Sequence, residues 1–155
     1  LTFTALSSFQ EAIAAVLALS LFVPLCISTG GNSGSQAATL ITRALAVGHV
    51  SISDWWLVLR HELVMGIVLG LTLGAIGFAQ AVLTPASVLG NVSRWGLALV
   101  VGQAVAVICL WGTLVGSMLP LLLKRAGIAS SPFVATLVDV TGIVIYFSIA
   151  RMILL

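Results

Sequence analysis

The strongest constraint on the fold is the length of the segments that carry no charged side chain. Residues 63–83 and 95–123 contain no Asp, Glu, Lys or Arg and are rich in Leu, Val, Ala and Gly. A helix of about 20 apolar residues crosses the hydrocarbon core of a bilayer. Only 6% of the 155 residues are charged, whereas a soluble domain has roughly 25%. The chain is therefore expected to be a polytopic membrane protein in contact with lipid.

Composition and motifs exclude several other classes of protein. The formal net charge is +2 and no Lys/Arg cluster is present, so no nucleic-acid partner is expected. The sequence has no Ser/His/Asp set, no phosphate-binding loop and no paired acids, so we predict that it is not an enzyme. Cys26 and Cys109 lie in apolar runs and are interpreted as buried thiols rather than a disulfide or a metal pair.

Polar breaks divide the chain into an all-α helical bundle with four full transmembrane helices and a helical stub. Pro24 is expected to kink the first full span, and the glycine-rich stretch 29–36 is expected to interrupt it. Asp54 is a candidate N-cap for the next helix. We treat residues 1–155 as one transmembrane domain, with predicted helices at residues 1–9 (the end of a first helix), 11–47, 54–83, 94–124 and 131–154.

The distribution of basic residues predicts the orientation. Arg43 and Arg60 flank one loop, and Lys124 and Arg125 lie in another, whereas the loop between them holds only Arg94. Loops rich in Lys and Arg stay in the cytoplasm. We therefore expect a multi-pass protein with its C-terminus outside, in the inner (plasma) membrane of a prokaryote.

Asp139 is the residue that most directly indicates a function. It lies about eight residues into the last span, where inserting a carboxylate costs at least about 2.5–3.5 kcal/mol. Such a side chain needs water, an ion or a partner. One interpretation is a structural ion pair with Arg43 or Arg151; the other is a cation site in a pore.

A second polar feature is the stretch Gly30–Thr39, with the sequence GGNSGSQAAT. Gly31, Ser35 and Thr39 are spaced four residues apart and share one helix face, while Asn32 and Gln36 form an adjacent polar stripe. Such a face is costly in lipid but favourable against a water-filled path or a second helix. Simple packing through small residues is the alternative interpretation.

Other glycines are interpreted as packing surfaces. Gly66, Gly70 and Gly74 repeat every four residues, and Gly112 and Gly116 have the same spacing. Small residues at this spacing let helix backbones approach closely within a membrane.

Together, the carboxylate, hydroxyls, amides and backbone carbonyls form an all-oxygen environment that suits a hard cation. A single carboxylate per chain would form only a weak binding site for a divalent ion. Two copies around a two-fold axis would bring two Asp139 side chains to one site, which predicts a homodimer with a pore on or beside the axis. Because Mg²⁺ dehydrates reluctantly, it would be held through its water ligands.

Two motifs resemble the transmembrane domain of the MgtE family of Mg²⁺ channels and transporters: GGN-x-G-x-Q at residues 30–36 and P-x-x-A-T-x-x-D-x-T-G at residues 132–142. The resemblance implies a dimer of five-helix subunits whose pore is lined by the second and fifth helices. It also implies Mg²⁺ as the bound and transported ion and Asp139 as its central selectivity residue. The further contributors that it implies are Ala135 (through its carbonyl), Gly142, Gly31, Ser35 and Thr39, with Asn32, Gln36 and Thr141 as additional pore-lining candidates.

The sequence departs from the family pattern in three ways. Family members usually carry an N-terminal cytosolic domain and a pair of CBS domains, which have no counterpart here. Most of the first helix is also expected to be missing, in agreement with the stub at residues 1–9, and because the sequence does not begin with Met we interpret it as a piece of a longer protein. Ser35 stands where the family often has Asn, which could widen the site.

The leading hypothesis is Mg²⁺ flux driven by the membrane potential, with Mn²⁺, Co²⁺ or Ca²⁺ as further candidate ions. A Na⁺- or H⁺-coupled exchanger of divalent cations and a non-conducting membrane scaffold are the alternatives.

Overall fold

The computed structural model describes residues 17–123 and 130–154. Four long helices dominate them: α1 (Val23–Ala46), α2 (Trp55–Val82), α3 (Arg94–Leu122) and α4 (Ser131–Leu154). A 3-10 turn at Ile52–Asp54 precedes α2, and a short helix at Ala86–Leu89 joins α2 to α3. Each long helix belongs to a segment long and apolar enough to cross a membrane. The prediction of an all-α helical bundle is confirmed, and the chain is an integral membrane protein.

Helix α3 is the centre of the bundle. It packs against α1, α2 and α4, whereas α2 packs mainly against α3. Residues along much of α3 are fully buried, because neighbouring helices cover it on three sides; they include Val100, Val101, Ala104, Val105 and Ile108. Helices α1 and α4 also pack against each other and lie side by side on α3.

The glycines of α2 let its backbone rest directly on α3. A Cβ atom on Gly70 would lie 2.7 Å from the carbonyl oxygen of Ala106, and one on Gly74 would lie 2.6 Å from that of Gly102. No side chain fits at either position unless a backbone moves. The predicted packing role of the α2 glycines is confirmed.

Glycines also bring α1 and α3 together. A Cβ atom on Gly112 would lie 2.5 Å from the carbonyl oxygen of Gly30, and one on Gly116 would collide with the carbonyl oxygen of Gly34. This pairing explains why a stretch as rich in glycine as residues 30–34 is helical: tertiary contacts offset its weak intrinsic helix propensity. The expected interruption at residues 29–36 is wrong, because α1 runs continuously through them.

Two expectations about helix ends are confirmed in position. The span Leu17–Ala46 breaks at residues 21–22, in the turn before Pro24, because proline has no N–H to donate to the carbonyl four residues earlier and its ring clashes with that carbonyl. Pro24 itself lies in the first turn of α1, where its missing N–H is not needed. Asp54 occupies the N-cap position of α2, but its carboxylate turns back and accepts hydrogen bonds from the backbone N–H (2.8 Å) and hydroxyl (2.7 Å) of Ser51.

The predicted helical stub at residues 1–9 lies outside the described residues, as do Lys124 and Arg125.

Candidate cation site between α1 and α4

Asp139 lies against the backbone of α1. Its side chain is half-buried, and its Oδ1 atom is buried with no hydrogen-bond partner among the described residues. Oδ1 lies against Gly31, where an added Cβ would collide with it. A residue other than glycine at position 31 would therefore displace the carboxylate.

The preceding residue, Val138, explains why the carboxylate points to this place. Val138 is fully buried and inserts between three glycines of the neighbouring helices. Added Cβ atoms would lie 3.0 Å from its side chain at Gly30, and 3.2 Å at both Gly34 and Gly112. Because the three glycines have no side chains, they leave a hole between the helices that the side chain of Val138 fills. With Val138 seated in it, Asp139 is directed to the flank of α4 that faces Gly31.

A cavity of about 130 Å³ opens at this contact, large enough for several water molecules. Asn32 Nδ2 donates a hydrogen bond to Ser28 Oγ (3.2 Å), so the amide oxygen of Asn32 remains available as an acceptor. Hydroxyl, amide and carboxylate oxygens thus face the same small volume. The residues that line the cavity are Ile27, Ser28, Gly31, Asn32, Ser35, Ala135 and Asp139.

Ser35 also lines a second cavity, of about 410 Å³, together with Gln36, Thr39 and Leu40. The backbone carbonyl of Ser35 accepts hydrogen bonds from Thr39 Oγ1 (2.8 Å) and from Ser131 Oγ (3.0 Å). The Ser35 hydroxyl donates to the carbonyl of Asn32 (3.1 Å) and keeps its own oxygen lone pairs. The two cavities therefore follow the polar face of α1, with Ser35 between them.

Two of the candidate residues lie elsewhere on α4. Gly142 is buried against α3, where an added Cβ would lie 3.2 Å from the side chain of Ile108. The hydroxyl of Thr141 accepts a hydrogen bond from Trp111 Nε1 on α3 (2.8 Å). Neither residue lines the cavity at Asp139, so the structure brings together Gly31, Asn32, Ser35, Ala135 and Asp139, with Gln36 and Thr39 beside them.

No basic side chain among the described residues pairs with Asp139. Within residues 17–123 and 130–154, the one contact between a basic side chain and a carboxylate joins His61 Nδ1 to Glu62 Oε1 at 3.4 Å. Neither Arg43 nor Arg151 forms the structural pair that was the alternative interpretation. The same part of the chain holds no group of three His, Cys, Asp or Glu residues that could bind a metal, so a single copy offers one carboxylate to the cavity.

Sequence reasoning missed two side chains that hold α4 in place. Trp111 was part of an apolar run, and its partner Thr141 lies 30 residues away. Tyr146 is fully buried, and its hydroxyl donates a hydrogen bond to the carbonyl of Leu19 (2.8 Å), next to the break at residues 21–22. In both residues a polar atom on an aromatic ring within a span was the available signal.

A bundle of long apolar helices with an oxygen-lined cavity between two of them defines an integral membrane protein with a polar cavity inside its helical bundle. The family model that matches is MgtE, described as a divalent cation transporter, and it covers residues 23–149. The chain belongs to the MgtE family.

Curated relatives agree with this assignment. The chain is 42% identical to a magnesium transporter MgtE from Thermus thermophilus, over 99% of this chain and 33% of the relative. It is 31% identical to a magnesium transporter MgtE from Enterococcus faecalis, over 97% of this chain and 33% of the relative. A third, from Bacillus subtilis, is 26% identical over 94% of this chain and 32% of the relative. The chain thus spans about a third of the length of these relatives.

Proposed function

We propose that the chain forms the membrane pathway of a Mg²⁺ channel or transporter, in which the ion passes along the polar face of α1 and meets Asp139 of α4. The family assignment and the names of the relatives support a divalent cation, and Mg²⁺ in particular, as the substrate. The chain acts in transport rather than as an enzyme.

The observation that carries the proposal is the buried, unpartnered oxygen of Asp139. A carboxylate at the centre of a transmembrane helix costs about 2.5–3.5 kcal/mol to insert, and here no basic side chain among the described residues compensates it. The side chain instead faces a cavity lined by Ser28, Asn32 and Ser35. A cation in this cavity would offset the cost of burying the carboxylate.

The neutral oxygens favour a hydrated ion. Mg²⁺ keeps several of its waters when it binds to proteins. Those waters would donate hydrogen bonds to the hydroxyls of Ser28 and Ser35, the amide oxygen of Asn32 and the carboxylate of Asp139. The backbone carbonyl of Ala135, one turn before Asp139 on α4, is a further acceptor in our proposal.

A homodimer completes the site. One copy supplies one carboxylate, whereas two copies around a two-fold axis supply two negative charges to one divalent ion. We propose that Mg²⁺ moves passively, driven by the membrane potential, in the inner membrane of a prokaryote, with the C-terminus outside. Mn²⁺, Co²⁺ and Ca²⁺ are the competing ions to test.

The test is Mg²⁺ influx into liposomes that contain the purified chain, with an imposed membrane potential and a Mg²⁺-sensitive dye inside. Asp139→Asn removes the charge and keeps the shape, and we expect influx to fall more than tenfold. The matched control is Asp54→Asn, which changes the same residue type at the loop before α2. Wild-type influx in Asp139→Asn would refute the site, and influx that requires a Na⁺ or pH gradient would refute the passive mechanism.

A further inference from the structure

Among the described residues, three hydrogen bonds at different heights join helix α4 to its neighbours. Ser131 Oγ donates to the carbonyl of Ser35 near the start of the helix, and Tyr146 Oη donates to the carbonyl of Leu19 farther along. Between them, Trp111 Nε1 donates to Thr141 Oγ1 at 2.8 Å. This middle bond joins two side chains, so it depends on the identity of both residues, and it lies two residues from Asp139.

Asp139 and Thr141 lie on opposite flanks of the buried face of α4. Successive residues of an α-helix are about 100° apart, so these two are separated by about 200° measured one way round the helix and about 160° the other. Val138 and Gly142 lie on the shorter arc and contact α1 and α3. Asp139 thus faces α1 on one side, while Thr141 faces Trp111 of α3 on the other.

This arrangement couples the hydrogen bond to the position of the carboxylate. Cα atoms lie about 2.3 Å from a helix axis, so rotating α4 by about 20° moves each Cα by about 0.8 Å, and side-chain atoms farther out move more. A bond that fixes Thr141 against α3 therefore restricts the same rotation at Asp139. A displacement of this size changes the fit of an ion whose ligand distances must be near ideal.

The hydrogen-bonding capacities of the Trp111 indole and the Thr141 hydroxyl make this bond specific. An indole N–H can only donate, and in a lipid environment an unpaired donor is costly. Trp111 is 40% exposed, and its ring N–H donates to Thr141 of the neighbouring helix. The Thr141 hydroxyl donates its proton to the carbonyl of Leu137 (2.8 Å), which leaves its oxygen free to accept from Trp111.

We infer that Trp111 is a positioning residue for ion selectivity: through Thr141 it sets the rotation of α4 that places Asp139 in the cavity. This inference rests on the proposed function, because it assigns a role to Trp111 in the selectivity of the same site.

The test uses the purified chain in liposomes and measures the ratio of Mg²⁺ to Ca²⁺ influx in four variants. Trp111→Phe removes the donor and keeps a ring, Thr141→Val removes the acceptor at nearly constant volume, and Thr141→Ser keeps the acceptor. The fourth variant combines Trp111→Phe with Thr141→Val. Each of the first two is expected to lower the ratio about fivefold, in line with the loss of one neutral hydrogen bond.

The double variant distinguishes a shared mechanism from two separate ones. If the two residues act through their hydrogen bond, the double variant has about the same ratio as either single one, and Thr141→Ser stays near the wild type. Trp95→Phe, at the exposed start of α3, is the matched control and leaves the ratio unchanged. The influx ratio does not depend on how much protein folds, so a lower yield of a variant does not obscure the result.

An unchanged ratio in both single variants, or effects that multiply in the double variant, would overturn the inference. Asp139→Asn separates this failure from failure of the proposed function. If Asp139→Asn abolishes influx while Trp111→Phe leaves selectivity intact, only the positioning role is wrong. If Asp139→Asn leaves influx intact, the site itself is wrong.

Discussion

The carboxylate of Asp139 lies so close to the backbone of Gly31 that a single methyl group at position 31 would collide with Oδ1. The two residues belong to different helices, α4 and α1, and are 108 positions apart in the sequence. Glycine at position 31 therefore determines where the charge can lie.

The first prediction follows from this contact. Gly31→Ala should push the carboxylate out of the cavity and lower Mg²⁺ influx into liposomes at least about tenfold, because a charge misplaced by about 1 Å costs roughly 1.4 kcal/mol or more in ion binding. Its effect on thermal unfolding in detergent should be small, since the Asp139 side chain can rotate away. Full influx in Gly31→Ala would show that the contact is not needed for transport.

The second prediction concerns stability rather than transport. In Gly116→Ala the new methyl group meets the backbone carbonyl of Gly34, which cannot rotate away. We expect the free energy of unfolding to fall by about 1–3 kcal/mol, the usual cost of overpacking. Thermal unfolding in detergent measures it.

A matched control for Gly116→Ala is Gly77→Ala. There, the atoms nearest an added Cβ are side-chain tips of Val101 and Val105, at 3.3 and 3.4 Å. These can shift by a few tenths of an ångström, so this variant should unfold close to the wild type. Equal losses in the two alanine variants would contradict the proposed backbone contact at Gly116.

The third prediction tests the helix break before α1. Tyr146→Phe deletes the hydroxyl that donates to the carbonyl of Leu19 inside the bundle. The loss should destabilise the protein by about 1 kcal/mol, the net value of a typical hydrogen bond, and should speed amide hydrogen exchange around residues 19–23. Exchange that stays at the wild-type rate would mean that the break does not depend on Tyr146.

The fourth prediction is that the neutral oxygens of the cavity contribute less to Mg²⁺ influx than the charge of Asp139 does. Ser35→Ala removes one hydroxyl from the cavity but leaves the backbone carbonyl that accepts from Ser131. We expect Mg²⁺ influx to fall about two- to fivefold, because the hydroxyl meets the ion through water. Ser148→Ala, an exposed serine on α4, is the control. A loss in Ser35→Ala as large as that in Asp139→Asn would indicate direct coordination by Ser35.

The sequence predicted the four spans because a helix in lipid must satisfy its own backbone hydrogen bonds, so long charge-free runs have few alternatives. It also indicated Asp139 as a functional residue, since a carboxylate within a transmembrane span is costly unless it faces water, an ion or a partner. The continuity of α1 through Gly30 and Gly34 was not predictable, because it depends on glycines of α3 some 80 residues away. The role of Trp111 was not predictable for a similar reason. Its hydrogen-bond acceptor, Thr141, lies on another helix, and no regular sequence spacing relates the two residues.

The contact of α1 with α3 through Gly30, Gly34, Gly112 and Gly116 has a mechanical consequence. Val138 of α4 fills the hole between these backbones, and Ile108 of α3 lies against Gly30. An axial shift of α1 along α3 would drive the backbone of α1 into both side chains, and a close-packed interface offers no room for that movement. The register of α1 on α3 is therefore locked by one valine and one isoleucine, and with it the set of oxygens that α1 presents to Asp139.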